Sequence, residues 1–169
     1  MGGMDSRPGS EVVPPDDVGF NHLAPALGKR VRRALVAAYG TEVGGEAAAD
    51  AMAYAWEHWE KVRAMDNPAG HLYRVGQSAA RKYRPRRSIA LPVVPPGDAW
   101  ADVRPELPGA LARLSGHQRA AVVLVHAHGE TYADAAATLG MSVSTLRNHL
   151  ARGMSRLRTL LGEVDDADA

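Results

Sequence analysis

Two groups of side chains in this chain of 169 residues are spaced so that they could do chemistry. The first is made of imidazoles and carboxylates: His117, His126 and His128 with Glu130 just beyond, and Asp50, Glu57 and Glu60 upstream. Two close histidines need further ligands to hold a metal, and residues 113–128 contain no carboxylate. Nor do Asp50, Glu57 and Glu60 make an acid–base pair by their spacing. No catalytic residue, metal or cofactor is therefore expected, and the chain is not expected to be an enzyme. The second group is Ser144, Thr145, Arg147, Asn148 and Arg152. These are hydrogen-bond donors and acceptors of the kind that meet base edges and phosphates.

Composition narrows the choice. The sequence has no cysteine, which excludes disulfides, thiolate metal sites and thiol nucleophiles and suits a reducing cytoplasm. No apolar run is long enough to span a bilayer, and the first ten residues do not resemble a secretion signal. A cytoplasmic protein with no membrane partner and no small-molecule substrate is expected. Formal net charge is only +1, yet its distribution is uneven. Residues 67–87 carry no acid and include Arg74, Arg81, Lys82, Arg84, Arg86 and Arg87, while residues 142–158 carry Arg147, Arg152, Arg156 and Arg158. A near-neutral total thus hides two basic faces.

The elements that must position these residues read as all-helical. Much of the 46% hydrophobic content is Ala, which loses no side-chain entropy in a helix, and no stretch alternates with period two. Residues 1–20, with three prolines and no periodicity, read as a disordered arm. A first helix is expected over 21–39, with Leu23, Leu27, Val31 and Leu35 on one face and Gly40 as its stop. A second is expected over about 45–64, with the stripe Ala48, Met52, Ala55, Trp59 and Val62 and with Trp56 beside it. A third begins near Pro68 and carries Leu72, Val75, Ala79 and Tyr83. Six of the eleven prolines fall between Pro85 and Pro108, marking a semi-extended linker. Two small helical domains follow, over 21–87 and 106–162, joined by a Pro-rich linker at 88–105 and ending in an acidic tail at 163–169.

The second domain is the more legible. A short helix over 108–114 precedes Ser115, which with Gln118 makes a capping box for a helix that turns Val123, Leu124 and Ala127 inward and ends at Gly129. Thr131 then caps a short helix that stops at Gly140, and Ser142 caps a last helix with the stripe Leu146, Leu150, Met154, Leu157 and Leu161. Short helix, glycine turn and long helix are the sequence form of a helix-turn-helix. Ala136 allows the two helices to cross closely, Gly140 takes a backbone conformation that a side chain resists, and Leu146 packs the second helix on the first. Burying those positions leaves Ser144, Thr145, Arg147, Asn148 and Arg152 outward. A plain helical hairpin would share the apolar stripe.

The run that begins Leu107-Pro108 and passes through Gln118-Arg119 to Leu124 resembles the entry to region four of bacterial sigma factors, of the extracytoplasmic-function type within the sigma-70 family. From Thr131 to Arg147 the sequence is similar to that region's helix-turn-helix. Ala55-Trp56, Trp59, Asn67-Pro68 and Leu72-Tyr73-Arg74-Val75 resemble region two. The sequence departs from the family pattern at Ala49, where a Gln is usual, at His71, where a Trp is common, and at Ser78, where an Asn is found.

The resemblance implies a protein that binds core RNA polymerase, its clamp through region two and its flap through region four, and directs promoter-specific initiation. An anti-sigma protein is a further candidate partner. It places Thr131, Tyr132, Ser142, Ser144, Thr145, Arg147, Asn148 and Arg152 at an upstream promoter element. His71, Tyr73, Arg74, Gln77, Ser78, Arg81, Lys82 and Arg84 would lie at the downstream element and its backbone, and Glu46, Asp50 and Glu57 on polymerase. A helix-turn-helix regulator that never engages polymerase is the alternative, and gives no reason for the first basic face.

Overall fold

The computed structural model describes residues 17–83 and 106–162. The linker at 88–105, the acidic tail and most of the N-terminal arm lie outside the described residues. Among those described, eight α-helices and no strands occur, so the fold is all-α as the composition implies.

Helix α1 spans Asp17–Tyr39, starting four residues earlier than its apolar stripe suggests. The reason is Phe20, whose ring packs edge-on against Trp56 at 4.8 Å and Trp59 at 5.0 Å. Helical backbone continues through Pro25. Of the expected stripe, Val31 and Leu35 are buried, but Leu23 is 53% exposed, because at this end of α1 the inward line runs through Phe20 and the buried Ala24 instead.

The single helix expected over 45–64 is two: α2 at Thr41–Glu57 and α3 at Trp59–Arg63. His58 breaks the run. Its ring stacks on Tyr54 at 4.3 Å, and the Tyr54 carbonyl oxygen takes the His58 amide at 3.1 Å with the ring Nδ1 3.0 Å away. Helix α4 occupies Pro68–Tyr83, where proline tolerates the first turn. Small residues line the α1–α2–α4 crossings: Ala34, Ala37, Ala38, Ala47, Ala51, Ala55 and Ala80 are all buried. Gly44 lets α2 approach α1 so closely that a Cβ would sit 2.5 Å from the Leu35 carbonyl oxygen.

Helix α5 covers Leu107–Ala112, and α6 covers Gly116–Val122 with both bonds of the Ser115–Gln118 capping box formed. The chain then widens into a π-helical turn at Val123–Ala127. Helix α7 spans Tyr132–Leu139 and α8 spans Val143–Leu160. Leu146, Leu150 and Leu157 of the predicted α8 stripe are buried, together with Gly153, a position the apolar pattern does not reveal. A Cβ on Gly153 would lie 2.9 Å from Val122 Cγ2, so this glycine sets the α6–α8 approach.

The two helical segments pack on each other. Helix α1 touches α6 and α7, and α4 touches α7. One buried cluster runs from Val31 and Leu72 through to Leu124 and Leu146.

Candidate nucleic-acid interface

Helices α7 and α8 are fixed at three points. Thr131 caps α7 by accepting from the Asp134 amide at 3.1 Å, while its hydroxyl donates to the Asp134 carboxylate at 2.6 Å. Gly140 closes α7 with φ 64, a left-handed conformation that costs glycine nothing. Its amide bonds the Ala137 carbonyl at 3.1 Å and the Met141 amide bonds that of Ala136 at 3.0 Å, the paired bonds of a Schellman turn. Ser142 then caps α8, accepting from the Thr145 amide at 3.1 Å. Ala136 and Leu146 are both buried at the crossing, as their sizes suggest.

That crossing decides what faces outward. Ser144, Thr145, Arg147, Asn148, Ala151 and Arg152 are exposed, with Arg156 and Arg158 continuing the basic face. At its start the hydroxyls of Ser142 and Ser144 lie 2.9 Å apart, and those of Ser142 and Thr145 2.8 Å apart. Tyr132 is 40% exposed, and the Arg147 guanidinium carbon lies 5.6 Å from the centre of its ring. That separation is within cation–π range and biases the guanidinium toward one orientation. Ser142 and Thr131 are thus capping groups first, whereas Ser144, Thr145, Arg147, Asn148 and Arg152 present unburied polar atoms.

The other candidate set, on α4, is divided by burial. Arg74, Ser78, Arg81 and Lys82 are exposed, whereas His71 and Gln77 are half-buried. Tyr73 is fully buried, so its assignment to the DNA surface is corrected. It falls on the inward side of α4, level with Leu72. Desolvation, then the charge of Tyr39, holds its phenol in the neutral form well above the usual range, partly offset by Gln77 and Arg119. His71 turns its Nε2 inward and its ring lies against Tyr54 at 5.6 Å. Gln77 Nε2 lies 3.2 Å from His117 Nε2. Arg84 falls outside the described residues.

Three side chains assigned to a protein partner lie on α2. Glu46 and Glu57 are exposed. Asp50 is half-buried and accepts a hydrogen bond from the Tyr83 hydroxyl at 3.0 Å, the foremost reason that phenol is raised above its usual value. As for the histidines, His117 stacks on His149 with ring centres 5.3 Å apart. Among the described residues no three His, Asp or Glu side chains gather as metal ligands would.

Sequence spacing gave no warning of four polar side chains that tie the segments together. Arg119 donates to the Ala37 carbonyl at 2.8 Å and to that of Ala38, both at the end of α1. Asn67 Nδ2 donates to the Ala137 carbonyl at 2.8 Å, and Arg74 donates to that of Gly140 at 2.8 Å. Arg30 donates to the Asp134 carbonyl at 2.7 Å and to the Thr138 hydroxyl, which is fully buried. Partners 66 to 108 residues apart leave no local pattern.

A helix-turn-helix with a basic outer face, carried on an all-helical chain, agrees with what known proteins show. Residues 105–157 match the family model described as sigma-70, region 4. Along 98% of its length the chain is 30% identical to the ECF RNA polymerase sigma factor SigM of Mycobacterium tuberculosis, spanning 90% of that protein. Over 37% of its length it is 43% identical to the ECF RNA polymerase sigma factor EcfG of Rhodopseudomonas palustris. Among solved structures, the sigma factor RpoE in complex with the anti-sigma factor NepR from Bartonella quintana is similar in fold. Its TM-score is 0.62 at 22% identity, covering 87% of this chain and 98% of that one. CnrH, in complex with the cytosolic domain of CnrY, gives 0.57 at 22% identity, covering 88% of this chain and 91% of that one. The chain belongs to the extracytoplasmic-function sigma factors of the sigma-70 family. No helix among the described residues is long and apolar enough to cross a membrane.

Proposed function

We propose that this chain binds core RNA polymerase and directs it to promoters carrying two elements, each recognised by one of two helical domains. Helix α8 would enter the major groove of the upstream element as duplex. Ser144, Thr145, Arg147, Asn148 and Arg152 would meet bases and phosphates there. Helix α4 would hold the backbone and the separated strand of the downstream element through Arg74, Ser78, Arg81 and Lys82. The exposed acids Glu46 and Glu57, with Asp50, would face polymerase, which supplies the bond-forming chemistry. The observation that carries this reading is the unburied polar face of α8, set against α7 by a Schellman turn and two side-chain caps.

The second basic face, on α4, favours a sigma factor over a helix-turn-helix regulator that works without polymerase. A regulator needs one DNA-reading helix; here Arg74, Arg81 and Lys82 stand exposed on another. Two solved relatives of the same fold are complexes with CnrY and with the anti-sigma factor NepR, which supports proposing an anti-sigma partner for this chain as well. Run-off transcription with core polymerase and a selected promoter library tests the proposal. Discrete transcripts that depend on this chain are expected. Promoter binding without co-purification of polymerase or transcript would leave the regulator.

A further inference from the structure

We propose that His149, Arg152 and His117 form a proton-linked subsite for a backbone phosphate of duplex DNA, in which His149 takes up a proton as the phosphate arrives. This rests on the reading of α8 as a DNA-contacting helix.

Helical spacing sets out the site. His149, Arg152 and Arg156 follow one another at three and four residues, so they share one flank of α8. Thr145 lies one turn ahead on the same flank. The outermost line of the helix is a different one, carrying Ser144, Asn148 and Ala151, all exposed. A helix lying in a major groove turns its outer line to the base edges and its flanks to the phosphate walls. His149 is therefore placed for a phosphate and not for a base.

A second helix completes the site. Gly153, one turn beyond His149, lets α8 come so close to α6 that a Cβ would lie 2.9 Å from Val122 Cγ2. His117 of α6 stacks on His149 with ring centres 5.3 Å apart and 28° between the planes. His117 and Arg152 are exposed and His149 is half-buried, so two imidazoles and a guanidinium meet at a surface open to solvent.

The surroundings supply no countercharge. From α4 comes the neutral amide of Gln77, its Nε2 3.2 Å from His117 Nε2. Helix α5 holds no ionisable side chain. The one acid of α7, Asp134, is engaged by Thr131 and Arg30, and Tyr132 lies under Arg147. Burial, then the charges of His117 and Arg152, accordingly lowers His149 from its usual 6.5. A phosphodiester seated against the rings and Arg152 reverses that balance, and an imidazolium N–H then donates to its oxygen. The proton comes from solvent. Between the free and the bound pKa, binding takes up a proton, so affinity rises as pH falls through that window. An arginine at this place would keep its charge throughout; histidine makes the contact conditional.

The test uses the full chain. Imidazole resonances of the isotope-labelled protein are titrated alone, with a selected upstream-element duplex, and with inorganic phosphate. The His149 pKa is expected to rise on the duplex and to rise less with inorganic phosphate. By fluorescence anisotropy at fixed salt, affinity for the duplex should improve about fivefold from about pH 7.5 to about pH 6. His149→Gln should lose most of that gain, Arg152→Ala should bind more weakly at both pH values, and His149→Arg should bind tightly at both. Should His149→Gln lose helix content by circular dichroism, the titration of the parent and His149→Arg decide alone. A His149 pKa unmoved by a duplex that binds, or a pH gain kept in full by His149→Gln, would overturn the subsite and leave α8 as the DNA-reading helix. If no protein bound the duplex, the α8 reading would fall and the proposal with it. A pKa rise with inorganic phosphate would then mark a site for a free anion instead.

Discussion

An arginine carries five donors on one planar group, and its partner decides whether it builds the fold or reads a ligand. Arg119 is wholly structural: besides the end of α1, it bonds the Ala112 carbonyl at 3.2 Å and those of Leu111 and Leu114 at 3.4 Å. Arg147 is the opposite case, exposed above the ring of Tyr132. Replacing Arg147 by Ala should weaken binding to an upstream-element duplex by about 1–3 kcal/mol if it meets a base. Tyr132→Ala should cost about 0.5–1 kcal/mol by releasing the guanidinium, and Tyr132→Phe should restore most of that. A double-mutant cycle by fluorescence anisotropy measures both. Additive losses would mean that the ring and the guanidinium act separately.

At the scale of the element, α7 and α8 depend on their ends. Each is capped by a hydroxyl, and losing such a cap costs about 1 kcal/mol. Thr131→Ala and Ser142→Ala should each lower the urea-unfolding free energy by that amount, with the helices otherwise intact. Gly140→Ala should cost about 1–2 kcal/mol, because φ 64 forces a Cβ toward the neighbouring carbonyl. Leu146, fully buried at the crossing, should cost about 2–5 kcal/mol when truncated to Ala. That loss should abolish DNA binding as well as stability, since α8 would no longer be held at a defined angle. A Leu146→Ala protein that bound DNA normally would separate the crossing from recognition.

For the molecule as a whole, the packing of the two segments gathers ionisable groups from several helices. At one point Gln77 of α4, His117 of α6, and His149 and Arg152 of α8 come together. Desolvation, then the charges of His117 and Arg152, lowers the His149 pKa below its usual 6.5. His128 is lowered too, by desolvation and then Arg33. A histidine with a depressed folded pKa takes up fewer protons than in the unfolded chain. Its contribution is therefore complete above the usual value and is lost as pH falls through the folded one. Glu130 has the reverse sign. Its carboxyl is raised from 4.5, chiefly by desolvation and further by Asp134, with Arg30 and Arg33 opposing, so its contribution is complete below 4.5 and lost as pH rises through the elevated value. Against the opposite slope of Glu130, the two histidines should pull thermal midpoints down between about pH 7.5 and pH 5.5, and His149→Gln should remove part of that pull. A slope unchanged by His149→Gln and His128→Gln would assign it to other groups.

Much of this protein could be read from its chain because helices are local objects. Caps at Ser115, Thr131 and Ser142, the stops at Gly40 and Gly140, and most of the stripes of α4 and α8 rest on residues within one or two turns, and the structure has them where spacing puts them, save Tyr83, which the α4 stripe turned inward and which is exposed. The outward face of α8 followed from the same periodicity. Several features were missed for lack of a pattern: the His58 break, the π-helical turn at Val123–Ala127, the buried Gly153, and the early start of α1, set by Phe20 against tryptophans far along the chain. Which polar groups are engaged was beyond the sequence altogether. Tyr73 inside the core, Arg74 on the Gly140 carbonyl and Arg119 at the end of α1 are decided by which helices meet, and bonds across 66 or more residues leave no trace in spacing. Periodicity says which way a side chain points; only packing says what it finds there.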